Sequence, residues 1–146
     1  METLRTILLA EDNQMDIELT LDALSEFNLA NRVVVVNDGV EVLEFLNCEG
    51  KFTNREKGNP VVIILDIKMP RMNGLEVLEK IRITDGFKKI PTVMLTSSQE
   101  HPDLKKSYDL GVNAYVVKPV DFKDFIVAVK HLGIFWAMIN ESPLEN

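Results

Sequence analysis

A chain of 146 residues is long enough to bury one core without staples, and it is expected to leave no room for a second catalytic or DNA-binding domain. Its 23 acidic against 16 basic residues give a net charge of -7, which argues against a nucleic-acid partner and for a surface that binds proteins or cations. The longest apolar run, residues 132–139, falls well short of the ~20 residues of a membrane span, and the first residues lack the pattern of a secretion signal. Cys48 stands alone without an internal disulfide partner, so a reducing cytoplasm and no membrane association are expected.

Residues 5–10, Arg-Thr-Ile-Leu-Leu-Ala, form a short apolar run of strand character that stops at Glu11, Asp12 and Asn13. From 15 to 29, Ile17, Leu21 and Leu24, with the pair Met15 and Leu19, recur at spacings of three and four, which predicts a helix. The β-branched run Val33–Val36 predicts a second strand. Asp38 then caps a helix, with Glu41 three residues later as in a capping box; Val42, Leu43, Phe45 and Leu46 follow, and Asn47 and Gly50 stop it. Cys48, near that end, reads as a small buried hydrophobe. Residues 49–60 are polar and rich in turn formers, and read as an exposed loop.

Residues 61–65, Val-Val-Ile-Ile-Leu, suit a strand buried on both faces in the middle of a parallel sheet, and they end in a carboxylate, Asp66. Pro70 keeps Met69 out of a helical conformation, and Asn73 with Gly74 supplies a turn before a helix over 75–83 carrying Leu75, Leu78 and Ile81. Residues 90–95 predict a fourth strand that ends at Thr96, Ser97 and Ser98; its proline is tolerable because it stands near the start. Pro102 opens a helix carrying Leu104, Tyr108 and Leu110 and closed by Gly111. Residues 114–117 form a fifth strand ending at Lys118 and Pro119, and Asp121 caps a last helix running toward Asn140. Strand and helix alternate five times, which implies an α/β fold with a parallel sheet covered on both faces.

In a parallel sheet the carboxyl ends of all strands share one edge, so Glu11, Asp12, Asp66, Thr96, Ser97 and Lys118 can meet in space. Alone, Asp66 reads equally well as a cap or turn residue. In this company its carboxylate crowds with those of Glu11 and Asp12, which repel unless a hard divalent cation sits among them. Mg2+ suits carboxylates, backbone oxygen and water, whereas zinc is disfavoured because no His or Cys stands at these strand ends. A lysine and a hydroxyl opposite could hold an oxyanion such as a phosphoryl group.

Taken in order, Leu-Leu-Ala-Glu-Asp-Asn, then Leu-Asp-Ile-Lys-Met-Pro with Asn-Gly-Leu-Glu following, Leu-Thr-Ser, and Asn-Ala-Tyr-Val-Val-Lys-Pro resemble the receiver domain of bacterial two-component response regulators over nearly the whole length. The resemblance implies a flavodoxin-like (βα)5 doubly wound fold with strand order 2-1-3-4-5. It implies a single receiver domain over residues 1–146, with 133–146 as the end of the last helix and a tail, and no output domain. Asp66 is then the phosphoacceptor. Asp12, Asp66 and the Lys68 carbonyl bind the metal directly and Glu11 holds it through water, the metal being Mg2+ with Mn2+ or Ca2+ as substitutes.

By the same resemblance, Lys118 pairs with Asp66 at rest and with the phosphoryl group afterwards, and the Lys118-Pro119 bond is cis. Thr96, with Ser97 beside it, donates its hydroxyl to a phosphoryl oxygen, and Tyr115 turns inward as Thr96 moves. The plainer reading of Tyr115 is a half-buried aromatic on an edge strand. The long polar loop before Pro60, the Thr-Ser-Ser stretch and a final helix ending Gly-Ile-Phe-Trp resemble the stand-alone regulators that partner phytochrome-type histidine kinases. A phosphorelay role follows, with a phytochrome-type kinase as donor and an unidentified downstream protein as target.

Lys68, two residues past the acceptor, is expected to lengthen the life of an acyl phosphate by crowding an attacking water. On the last helix Phe122, Phe125, Ile126, Val129, Gly133 and Trp136 form a stripe for the sheet to bury. Val127, Ile134 and Met138 point nearly the opposite way with Phe135 beside them, which predicts a homodimer through this helix. Two other functions share the fold. A metal-dependent aspartyl phosphatase or phosphotransferase usually needs an acid two residues past its nucleophile, where Lys68 stands, so turnover as an enzyme is not expected. A flavin carrier needs Ser, Thr and Gly-rich loops that are missing here.

Overall fold

The computed structural model describes residues 5–26, 28–96 and 109–132, with Thr96, His131 and Leu132 described through their backbone alone. Strands β1 (Ile7–Ala10), β2 (Val33–Val36), β3 (Val62–Asp66), β4 (Thr92–Thr96) and β5 (Ala114–Val117) form one parallel sheet in the order β2-β1-β3-β4-β5. The flavodoxin-like strand order that the family resemblance implied is the order observed. The chain leaves β1 to one side for β2 and returns to the other side for β3, so the carboxyl ends of β1 and β3 flank the point where the winding reverses.

Four helices, α1 (Gln14–Ser25), α2 (Gly39–Asn47), α3 (Gly74–Ile83) and α4 (Phe122–Leu132), are seen among the described residues. The helix expected over 102–110 lies almost wholly outside them. Alternation along the strands sorts side chains between two cores. Ile7, Leu9, Ile64, Leu95 and Val116 meet Ile17 and Leu24 of α1 and Phe125 and Val129 of α4. On the other face Leu8, Ala10, Ile63, Leu65 and Met94 meet Val42 and Phe45 of α2 and Leu78 and Ile81 of α3. All of β3 is buried, and each such aliphatic side chain contributes about 1.5–3 kcal/mol of burial free energy.

Several local expectations are corrected. Helix α1 stops at Ser25 and not at residue 29, because Asn28 takes a left-handed φ of 59° that returns Leu29 to the core, 1% exposed. Met15 and Leu19 of α1 point outward, at 69% and 39% exposure. Asp38 does cap α2, accepting from the Glu41 N–H at 2.8 Å, but Glu41 reaches back to the N–H of Asn37 at 2.7 Å, one residue earlier than a capping box requires. The full box instead opens α3, between Asn73 and Glu76, so Gly74 is the first helical residue and not part of a preceding turn. Strand β4 runs from Thr92 to Thr96, later than the expected 90–95.

Cys48 is half-buried and adopts the left-handed conformation, φ 55°, that ends α2. The loop 49–60 is not simply exposed. Gly58 and Pro60 are buried, Phe52 packs edge-on against Phe45 at 5.1 Å, and Arg55 stacks on Phe45 at 4.0 Å while its Nε donates to the Phe45 carbonyl at 2.7 Å.

Candidate functional site

Glu11 follows the last residue of β1, where its N–H still reaches the Val36 carbonyl at 3.0 Å and its own carbonyl accepts from Asn37 Nδ2 at 3.2 Å. That junction holds its carboxylate inside the protein at 0% exposure. Asp12 is exposed beside it, ahead of Asn13, whose side chain caps α1 by accepting from the Asp16 N–H at 3.0 Å. Asp66 closes β3 in register with Leu95 and is only 5% exposed. Oxygens of Glu11, Asp12 and Asp66 lie within 4.8 Å of one another.

Lys118 enters from the end of β5, next to a cis bond to Pro119. Its Nζ stands 2.7 Å from Glu11 Oε1, 3.0 Å from Asp16 Oδ2 and 3.1 Å from Asp66 Oδ2. Burial opposes its charge, but Glu11, Asp16 and Asp66 outweigh that and hold the ammonium protonated well above the ordinary lysine range. For Asp66 the balance runs the other way. Burial first, and the neighbouring charge of Glu11 second, push its carboxyl up to about 7 against the pull of Lys118.

The residues present fit a divalent metal on two grounds. The donors are all carboxylate oxygens, as a hard cation requires. Two of the three carboxylates, those of Glu11 and Asp66, are also buried side by side against the single positive charge of the Lys118 ammonium, so negative charge is left for a further cation to offset.

Of the other residues singled out in the sequence, Lys68 is exposed past the end of β3, and Tyr115 sits on β5 opposite Met94 with 37% exposure. Val127 on α4 is 60% exposed. The side chain of Thr96 and all of Ser97, Ile134, Phe135 and Met138 lie outside the described residues. Two features went unseen in the sequence. Asp16, in the first turn of α1, is a direct partner of Lys118, and its only sequence signal was a third acid close behind Glu11 and Asp12. Arg71, at a left-handed φ of 63°, pairs with Asp38 at 2.8 Å and ties the loop after Asp66 to the start of α2. Burial resists ionisation of Asp38, but Arg71 and the N–H groups of Glu41 and Val40 keep its carboxyl below the ordinary range.

Residues 7–130 match the response regulator receiver domain family, to which this chain belongs. It is 33% identical over 132 residues to the response regulator Rcp1 of Synechocystis, covering 90% of this chain and 88% of that protein. Among solved structures it is similar to the bacteriophytochrome response regulator RtBRR, at 57% identity and a TM-score of 0.84, covering 98% of this chain and 84% of that one. The phosphorylated cyanobacterial phytochrome response regulator RcpA shares 36% identity with a TM-score of 0.74, covering 94% and 97% of the two chains. The Mn2+-bound form of Rcp1 shares 31% with a TM-score of 0.73, covering 98% and 99%. The chain is thus a receiver-domain response regulator related to phytochrome response regulators. No helix among the described residues is long and apolar enough to cross a membrane.

Proposed function

We propose that Asp66 accepts a phosphoryl group from a histidine kinase of the phytochrome type, and that a downstream protein reads the altered surface. The observation that carries this is the placement of Asp66: a buried carboxylate at the carboxyl edge of β3, with Lys118 Nζ at 3.1 Å. The names of RtBRR and RcpA support the phytochrome partner.

In this mechanism an Asp66 oxygen attacks phosphorus in line as the bond to the donor's imidazole nitrogen breaks. The pairing of β3 with β4 steadies the Asp66 backbone during the attack. Lys118 receives the phosphoryl charge, with the Thr96 and Ser97 hydroxyls as further donors and Tyr115 as the side chain whose reorientation reports the change. Mg2+ would be held by Asp12, Asp66, Glu11 and the Lys68 carbonyl, the Mn2+-bound relative supporting a divalent metal in this family, and it would supply charge compensation between attacking carboxylate and incoming phosphoryl. An aspartyl phosphatase is not favoured, since Lys68 stands where its general acid would be. The test is acetyl phosphate with Mg2+ read by intact mass: one stable adduct of about 80 Da on the wild type and none on Asp66→Asn. Steady phosphate release without an adduct would instead mark an enzyme. Phosphotransfer from a panel of purified kinases tests the partner, and equal transfer from all of them would remove the phytochrome preference.

We further propose a homodimer through α4 and β5. Val127 at 60%, Val117 at 38% and Tyr115 at 37% exposure support an apolar surface there, with Ile134, Phe135 and Met138, outside the described residues, as the further candidates from the sequence. Sedimentation at micromolar concentration should show a dimer, and a monomer there would remove the assignment.

A further inference from the structure

Asp16 makes a contact that phosphorylation of Asp66 does not require. An ammonium has three N–H groups, and that of Lys118 is ringed by three carboxylates, those of Glu11, Asp16 and Asp66, all within 3.1 Å. A phosphoryl oxygen arriving on Asp66 therefore finds the lysine already engaged. The Asp66 contact passes to the phosphoryl group, and as the ammonium follows the phosphoryl oxygens outward one of the other two has to open. Glu11 is buried at 0% side-chain exposure and would be left charged and dry, whereas Asp16 is 27% exposed, so water can take the place of the ammonium.

We propose that Asp16 is a positioning residue for Lys118: it anchors the ammonium at rest, competes with the phosphoryl group for it, and is the partner released on phosphorylation. This rests on the reading of Asp66 as phosphoacceptor. The backbone that carries Asp16 is held in place. Its N–H is bonded to Asn13 Oδ1 at 3.0 Å and its carbonyl accepts from Thr20 Oγ1 at 2.8 Å, which fix the first turn of α1 around it. The lysine, already in contact with Asp66, follows the phosphoryl oxygens, and the first turn of α1 loses a tether to β5 when it does. The Asp16 charge opposes the phosphorylated state twice, by competing for Lys118 and by repelling the phosphoryl oxygens. A merely structural Asp16, favourable as an acid in a first helical turn, would change stability and nothing else.

The test uses the full chain and beryllofluoride as the phosphoryl mimic, titrated at saturating Mg2+ and followed by fluorine NMR and calorimetry. Asp16→Asn keeps shape and removes charge. Asp22→Asn removes the same charge from an exposed position of α1 away from the lysine. Asp16→Asn should bind beryllofluoride about three- to tenfold more tightly than wild type, with Asp22→Asn unchanged. Mg2+ affinity should stay within about twofold for both variants. Equal beryllofluoride affinity in wild type and Asp16→Asn, or the same gain in Asp22→Asn, overturns the proposal while leaving Asp66 as acceptor. A tenfold or larger loss of Mg2+ affinity in Asp16→Asn overturns it in favour of a metal ligand, roughly the scale of a lost ligating group. If the wild type takes no beryllofluoride with Mg2+, the acceptor reading fails and this proposal with it.

Discussion

The start of α3 lies directly under the end of β3: a β-carbon placed on Gly74 would stand 2.3 Å from the carbonyl oxygen of Asp66, and the Gly74 N–H donates to the next carbonyl, that of Ile67, at 2.8 Å. Only a residue without a side chain permits that approach. Gly74→Ala should therefore cost about 1–3 kcal/mol in urea denaturation and slow labelling of Asp66 several-fold, because backbone has to shift. Wild-type stability with wild-type labelling would show that the loop gives way freely.

The Asp66 carboxyl sets a pH dependence whose sign is fixed by its shift. Its folded-state value of about 7 lies above the ordinary 3.8, so the folded chain keeps a proton that the unfolded chain releases between those values. The stability this contributes is complete below the lower value and is lost as pH rises through the upper one. Asp66→Asn cannot ionise, and without metal it should gain on wild type between about pH 4 and 8, reaching about 1–3 kcal/mol. Urea midpoints in EDTA across that range check it, and a flat difference would contradict it. Mg2+ should narrow the gap, because a cation relieves the repulsion from Glu11.

Arg55 fastens the loop 49–60 through its stack on Phe45 and its bond to the Phe45 carbonyl. Arg55→Ala should cost about 1–2 kcal/mol and leave Asp66 labelling unchanged. Slower labelling would mean that the loop reaches the site.

Asp38 and Arg71 form one ion pair, yet their removal should not be equivalent. Arg71→Ala breaks a pair whose arginine side is 55% exposed and screened by solvent, and should cost little. Asp38→Ala also strips the cap of α2, and should cost about 1–3 kcal/mol. The Asp38 contribution is present above the ordinary carboxylate range and is lost as pH falls through its lowered folded value, so the two variants should converge in acid. Equal costs at neutral pH would mean that the cap contributes nothing.

Lys68 offers a kinetic test. If its side chain crowds the water that attacks the acyl phosphate, Lys68→Ala shortens the phosphorylated lifetime several-fold; unchanged decay, followed by intact mass, removes that role.

The strand ends were legible because each is a run of aliphatic residues halted by one polar residue, and the alternation with helices fixed on which edge Glu11, Asp66 and Lys118 would gather. Asp16 was not legible, since an acid one turn into a helix looks like any solvated position, and its contact to Lys118 spans 102 residues. The pairing of Arg71 with Asp38 hides for the same reason, being 33 residues apart. Phe52 and Arg55 were lost in a polar stretch without periodicity, where nothing along the chain announces a cap for Phe45. The early end of α1 turned on one left-handed residue, Asn28, whose backbone no apolar pattern reports.

Residues 67–73 are secured at both ends. Ile67 N–H reaches Leu95 at 3.2 Å and its carbonyl accepts from Gly74, while Met72 accepts from Gly39, whose own missing side chain leaves room for that oxygen. Such a span tolerates neither an insertion nor a deletion: one residue more or fewer would lift Gly74 from beneath Asp66 and break the join to α2 together. Engineered tags or grafted peptides therefore belong elsewhere on the chain, away from the segment that shapes the surroundings of Asp66.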